Sequence, residues 1–126
     1  MMTLDEIRTL VAAMGESAGC FKELRDALAK EERIHAGRGR AVVHDLVGIL
    51  RVRSETSEAA GIEPCGFDET LIALAALPAD ERVETFHFKS QRRYFSLLVS
   101  ESTRTIIGCI CVNGRDARRY PVVRRR

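Results

Sequence analysis

The sequence predicts an α+β protein, with three or four N-terminal helices packed on one face of a C-terminal three-stranded antiparallel meander. Three observations lead to this prediction. Apolar residues recur at helical spacing up to about residue 77, and from Arg82 they alternate with polar residues at strand spacing. The length of 126 residues is enough for one domain with its own core. We therefore expect a single domain over 1–114 and an arginine-rich tail over 115–126.

The first two helices are predicted from a capping motif and a terminating glycine. Thr3 and Glu6 have the spacing of a capping box, in which each side chain accepts a hydrogen bond from a backbone amide at the start of a helix. A second helix is predicted from about 20 to 36. Gly37 ends this helix, because glycine adopts left-handed backbone angles without a steric penalty. The segment 37–40, Gly-Arg-Gly-Arg, is then predicted to be a loop.

The next two helices are predicted with different amounts of support. A third helix is expected over 41–53 with Val43, Leu46 and Leu50 facing inward. Its β-branched residues and Gly48 leave a strand as the alternative. A connector rich in glycine and proline follows it. Asp68 is the predicted N-cap of a short fourth helix, and Pro78 ends that helix.

Three strands are predicted at about 83–89, 93–100 and 104–112. The segments between them are short and polar, so two hairpins with turns at Ser90-Gln91 and Glu101-Ser102 form the simplest topology. The alternating pattern within each strand predicts that successive side chains point to opposite faces of the sheet.

The predicted turns define a register, which assigns side chains to two faces. Phe86 is expected opposite Phe95, with Gly108 in the same row, on the face that packs against the helices. The other face is about half apolar, which favours cover by the helices, by the tail or by a second subunit. The predicted interface residues are Val83, Tyr94, Leu98 and Ile107 on this face, with Tyr120 and Val122 in the tail.

Two weak candidates for thiol chemistry follow from the same register. His87, Tyr94 and Cys109 are expected in one row, and a thiolate beside an imidazole is a nucleophile arrangement. This row contains no carboxylate to orient the imidazole, so a structural role is favoured. Cys65 precedes the fourth helix, whose dipole can lower a thiol pKa, but a small buried turn residue is the favoured interpretation. No catalytic residue is therefore assigned, and the sequence favours a protein that is not an enzyme.

The motifs and composition of the sequence predict no cofactor, no metal site and no membrane segment. The histidines lack metal-ligand spacing, and Cys109-x-Cys111 differs from the pattern of a zinc ribbon. Phosphate-binding and dinucleotide-binding motifs are absent. The seven-residue apolar run at 106–112 is much shorter than the roughly 20 residues that span a bilayer. Four cysteines without a disulfide spacing favour a reducing compartment, so we expect a cytoplasmic protein.

The C-terminal tail carries most of the basic character. Residues 115–126 contain six arginines and one acid, a formal charge of +5 within a total of +2. The remaining 114 residues therefore carry −3, so the tail can dock on the acidic body of its own chain or of a sister subunit. Alternatively, arginines can bind nucleic-acid phosphates. The candidate anion-binding residues are Arg38, Arg40, Arg118, Arg119, Arg124 and Arg125.

These features lead to three functional hypotheses. The first is a non-catalytic interaction protein that forms a homodimer through the outer sheet face and the tail. The second is a nucleic-acid-associated regulatory protein that uses the tail and the Gly37–Arg40 loop. The third is a thiol-dependent enzyme. A small-molecule ligand is the least favoured partner, because no convergent polar motif is visible.

Overall fold

Four helices and one antiparallel sheet of four strands make up the part of the chain that the structure describes. This computed structural model describes residues 3–13, 20–30, 35–59, 66–89 and 93–113. The helices are α1 (Leu4–Ala12), α2 (Cys20–Lys30), α3 (Val43–Ala59) and α4 (Phe67–Ala75). The strands are β1 (His35–Val42), β2 (Arg82–Lys89), β3 (Arg93–Ser100) and β4 (Ile106–Asn113). The α+β class is confirmed, and the sheet has one strand more than predicted.

The strands lie in the order β1-β2-β3-β4, and helices cover both faces of the sheet. The prediction that all helices pack on one face is therefore wrong. The first core, between the sheet and the α1–α2 pair, contains Ile7, Val11, Cys20, Leu24, Leu28, Phe86, Phe88, Phe95, Leu97, Val99, Cys109 and Cys111. The second core, between the sheet and the α3–α4 pair, contains Val43, Leu46, Leu50, Phe67, Leu74, Val83, Leu98 and Ile110.

The starts of α1 and α3 show how their free amides are satisfied. The predicted capping box is present, because the Glu6 amide donates to Thr3 Oγ1 at 3.1 Å and the Thr3 amide donates to Glu6 Oε2 at 2.9 Å. At the start of α3, the Val43 amide donates to the Glu81 carbonyl at 2.9 Å. The His44 amide donates to the Ala79 carbonyl at 3.0 Å, so the segment before β2 satisfies the first turn of α3.

Strand β1 lies where the sequence predicted the end of a helix and the 37–40 loop. Its residues pair with β2, so that Gly37 lies opposite His87 and Gly39 lies opposite Thr85. Glycine is depleted in strands, so local propensity did not indicate this strand. The third helix is confirmed, and it runs from Val43 to Ala59 instead of 41–53.

The predicted registers are wrong in two different ways. Phe95 pairs with Phe88 instead of Phe86, a shift of two residues that keeps every side chain on its predicted face. On the other side, Phe95 pairs with Cys111 instead of Gly108. This second shift is an odd number of residues, so it exchanges the two faces of β4.

A longer turn and a bulge cause the shift in β4. The predicted two-residue turn at Glu101-Ser102 is replaced by a loop over 101–104, which the Ser100 amide closes by donating to the Thr105 carbonyl at 2.8 Å. Within this loop Arg104 has a φ of 55°. The pairing of β3 with β4 is then interrupted between Leu98 and Val99 by a bulge, which adds a residue on β4.

Helix α4 begins one residue before its predicted N-cap. Gly66 occupies the cap position with a φ of 90°, and Asp68 lies in the first turn, where its charge still favours the helix dipole. A Cβ atom on Gly66 would lie 2.1 Å from the Cys109 carbonyl oxygen. Both the backbone angle and the contact therefore require glycine here.

We predict that Gly66→Ala destabilises the protein by about 3 kcal/mol or more, because it adds a left-handed alanine and a backbone clash. Gly48→Ala is the matched control, since Gly48 lies within α3 and has no atom within 4 Å of the added Cβ. This control should stabilise the protein by about 0.5–1 kcal/mol. Urea unfolding measures both changes, and similar values for the two variants would contradict the geometry at Gly66.

Candidate interaction surface

The sheet face that the sequence predicted as an interface lies inside the protein. Val83 and Leu98 are 0% and 2% exposed and belong to the second core. Tyr94 is buried as well, and Ile107 packs partly buried against the second core. The α3–α4 pair covers this face, so these four side chains stabilise the fold and are not a free surface.

Only part of the predicted His87-Tyr94-Cys109 row is assembled. The Tyr94 hydroxyl lies 3.0 Å from His87 Nδ1, and the two rings stack with centroids 6.0 Å apart. Cys109 pairs with Leu97 and belongs to the first core, on the opposite face of the sheet. The inverted register of β4 therefore separates the thiol from the imidazole, and the predicted thiol-imidazole row is not formed.

Within the described part of the chain, the His87 ring meets three hydroxyl groups. Its Nδ1 lies 3.1 Å from Ser96 Oγ as well as near Tyr94, and its Nε2 lies 3.2 Å from Thr85 Oγ1. All four side chains are buried. Because a hydroxyl can donate or accept, this cluster can hold either neutral tautomer of the ring. Such a network positions β2 and β3 on each other, which is a structural role.

Two thiols of β4 are held in the first core. The Cys111 thiol donates to Glu23 Oε2 at 3.3 Å, and Glu23 in turn forms an ion pair with Arg93 at 3.2 Å. Burial, together with the Glu23 carboxylate, raises the pKa of Cys111 far above its usual range. Because the thiolate is the nucleophile, this shift opposes nucleophilic chemistry at Cys111. Cys109 is 2% exposed in the same core.

The two arginines of β1, Arg38 and Arg40, lie on the same face of the sheet as the first core. The Arg38 guanidinium lies 5.4 Å from the centroid of the Phe86 ring, and Arg38 is exposed. Arg40 Nε lies 3.1 Å from Glu101 Oε2. The two residues lie on an edge strand instead of a loop, and Arg40 already has an acidic partner.

An open depression of about 400 Å³ lies at the end of the sheet, beside Glu101, the ion-pair partner of Arg40. Its lining includes Glu81 and Ser102. Hydrogen bonds from Ser102 and Ser100 hold the pKa of Glu81 below its usual value of 4.5. Glu81 is therefore ionised at neutral pH, and the serines fix the orientation of its carboxylate.

Exposed apolar side chains are concentrated on the solvent side of α3 and α4. Among the described residues, the large apolar side chains that face solvent are Ile49, Val52 and Ile72, which are 36%, 62% and 72% exposed. The exposed alanines Ala75 and Ala76 continue this surface on α4. Helices α3 and α4 pack on each other, and exposed large apolar side chains on neighbouring helices are typical of an interaction site.

Acidic side chains flank these apolar groups along each helix. On α3, Asp45 and Glu55 are exposed on either side of Val52 along the chain, and on α4 Asp68 and Glu69 precede Ile72. Arg51 is the exposed arginine of these two described helices. We call this region the outer helical surface. Its members are Asp45, Gly48, Ile49, Val52 and Glu55 of α3, Asp68, Glu69, Ile72 and Ala75 of α4, and the C-cap residue Ala76.

The sequence contains a signal for this surface in the helices, whereas the predicted interface was derived from the strands. The predicted inward stripe of α3, Val43, Leu46 and Leu50, is confirmed by burial. Val52 lies two residues from Leu50, about 200° around the helix, so it must face away from that stripe. The same geometry separates Ile72 from the buried Leu74. An apolar residue outside a buried stripe was therefore the signal available.

Several predicted residues lie outside the described part of the chain. They are Cys65, Arg118, Arg119, Tyr120, Val122, Arg124 and Arg125. Among the described residues, no group of three or more His, Cys, Asp or Glu side chains could hold a metal ion. The helices described here also include none with the length and apolar composition needed to cross a membrane. No protein-family model, curated protein or solved structure matches the chain.

We predict that the hydroxyls of Tyr94 and Ser96 substitute for each other at His87 Nδ1. Tyr94→Phe and Ser96→Ala should each cost about 1 kcal/mol of unfolding free energy. The double variant should cost more than the sum, by about 0.5 kcal/mol or more, because Nδ1 then loses both hydroxyl contacts. Urea unfolding of the four proteins measures this coupling. Strictly additive values would show that the two hydroxyls act independently.

Proposed function

We propose that this protein is a non-catalytic interaction module that associates with itself through the outer helical surface. The observation that carries the proposal is the exposure of Val52 and Ile72, at 62% and 72%, on one layer of the fold. The sheet face first considered for this role is filled by the chain's own helices, whereas these side chains remain uncovered in one molecule. A second copy is the favoured partner, because each copy carries both the exposed apolar side chains with their acids and an arginine-rich tail of opposite charge.

The chemistry of the described cavities and clusters supports a binding role over catalysis. The imidazole of His87 is buried among hydroxyls, and the thiols of Cys109 and Cys111 lie in the first core. The pKa of Cys111 is raised by burial, which opposes nucleophilic attack. The predicted pairing of base and nucleophile is thus not available for Cys109.

The energies involved indicate which contacts would carry the affinity. Burying a valine or isoleucine contributes roughly 1.5–3 kcal/mol, whereas an exposed ion pair contributes about 0.2–1 kcal/mol. Val52 and Ile72 would therefore supply most of the binding free energy. The acids around them would pair with basic side chains of the second copy, so the association would weaken at high salt.

We predict that Val52→Arg and Ile72→Arg each weaken the dimer at least 10- to 100-fold, because each removes at least one apolar contact of about that size. The matched control is Ala29→Arg, which adds the same charge at an exposed helical position on α2. Sedimentation velocity over a concentration series measures the dissociation constants.

The control should associate like the unchanged protein. A full-length protein that remains monomeric at tens of micromolar would end the proposal of self-association. Equal weakening by Ala29→Arg would instead show a general charge effect and remove the outer helical surface from the proposal.

A nucleic-acid-associated role is the second candidate, and one observation favours it. Arg38 is exposed beside Phe86 with its guanidinium directed over the ring, a position from which it can also meet a phosphate. Arg40 supports this role less, because it already forms an ion pair with Glu101.

We predict for this second candidate that oligonucleotide binding falls steeply with salt. If the six tail arginines all contact phosphates, the logarithm of the binding constant falls with that of the salt concentration with a slope of roughly −5. Fluorescence anisotropy at about 50 mM and about 200 mM salt measures the slope. Arg38→Ala should weaken binding further, and undetectable binding at the lower salt would exclude the role.

A further inference from the structure

The outer helical surface is open within one chain, although the chain includes a segment whose composition matches it. Val52 and Ile72 are 62% and 72% exposed, and the Asp45 side chain is 69% exposed. The sequence continues for 13 residues after Asn113, the last residue of β4. Extended, such a segment spans roughly 43 Å, so it can leave its own body and reach a neighbouring molecule.

The tail and α3 have the same order of charged and apolar groups. In the tail, Arg118 and Arg119 precede the segment 120–123, Tyr-Pro-Val-Val, and three arginines follow it. On α3, Asp45 precedes the apolar residues and Glu55 follows them. Each arginine group therefore has an acid at the corresponding end of the helix, with apolar residues between.

The spacings along the two segments are also comparable. Asp45 and Glu55 are ten residues apart, which corresponds to about 15 Å along a helix. Arg118 and Arg124 are six residues apart, which corresponds to about 20 Å in an extended chain, and this even number keeps both side chains on one side of that chain. Pro121 favours the extended form, because its φ of about −65° and its missing amide oppose a helix interior.

We propose that the tail of one molecule binds along α3 of a second copy. In this contact, Tyr120 and Val122 cover Ile49 and Val52, while Arg118 and Arg124 lie over Asp45 and Glu55. The arrangement is reciprocal, so a dimer contains two identical contacts. This inference rests on the proposed self-association and names the segment that occupies the surface.

Complementation between two full-length variants tests the proposal. The surface variant, Val52→Arg, keeps an intact tail, and the tail variant, Tyr120→Asp with Val122→Asp, keeps an intact surface. Each alone should associate at least 10-fold more weakly than the unchanged protein. An equimolar mixture should form a heterodimer, because the tail of the first can bind the surface of the second. Native mass spectrometry with one variant labelled with ¹⁵N identifies this species.

A second pair of variants tests the charges. Glu55→Lys should weaken the dimer and reduce its salt dependence. Asp26→Lys, the same reversal of charge at an exposed position on α2, should leave both the affinity and its salt dependence unchanged. Equal effects of the two variants would overturn the pairing of α3 acids with tail arginines.

The outcomes separate this inference from the proposed function. If the tail variant dimerises as tightly as the unchanged protein while Val52→Arg dissociates, self-association stands and the tail contact is wrong. If both variants are monomeric and their mixture also stays monomeric, the tail does not bind the outer helical surface of a partner. If the unchanged protein is monomeric at tens of micromolar, the proposed function itself is wrong.

Discussion

The register between β3 and β4 is the constraint on which both faces of the sheet depend. The bulge at Leu98 and Val99 directs Cys109 into the first core and Gly108 towards α4. A Cβ on Gly108 would lie 2.4 Å from Thr70 Oγ1, so the absence of a side chain allows α4 to approach the strand. A slip of one residue would exchange every β4 side chain between the two cores. Both helical layers therefore require this one alignment.

Helical cover on both faces determines where the protein can contact other molecules. A half-apolar sheet face suggests an interface when it is considered alone, but Val83 and Leu98 fill the second core here. The large apolar side chains that face solvent in the described part of the chain are instead on α3 and α4. The same packing encloses His87 among hydroxyls, where it joins two strands. Functional interpretation of a sheet face thus depends on knowing which helices cover it.

Local signals predicted much of the fold because they depend on neighbours in the chain. The capping box at Thr3 needs only residues of the first turn, and the inward stripe of α3 follows from helical spacing alone. The spans of β2 and β3 were also close to those observed. Strand β1 was missed because Gly37 and Gly39 have poor strand propensity, and only pairing with β2 places them in a sheet.

The candidate site shows the same division. The amino-acid pattern alone predicts the α+β class, the period change near Arg82 and the charge contrast between the tail and the rest of the chain. Which side chains meet depends on tertiary packing, because register depends on the length of the 101–104 loop and on contacts between distant residues. This packing separates Cys109 from His87 and buries Leu98. It also leaves Val52 and Ile72 exposed, since each helix can direct only one stripe towards the sheet.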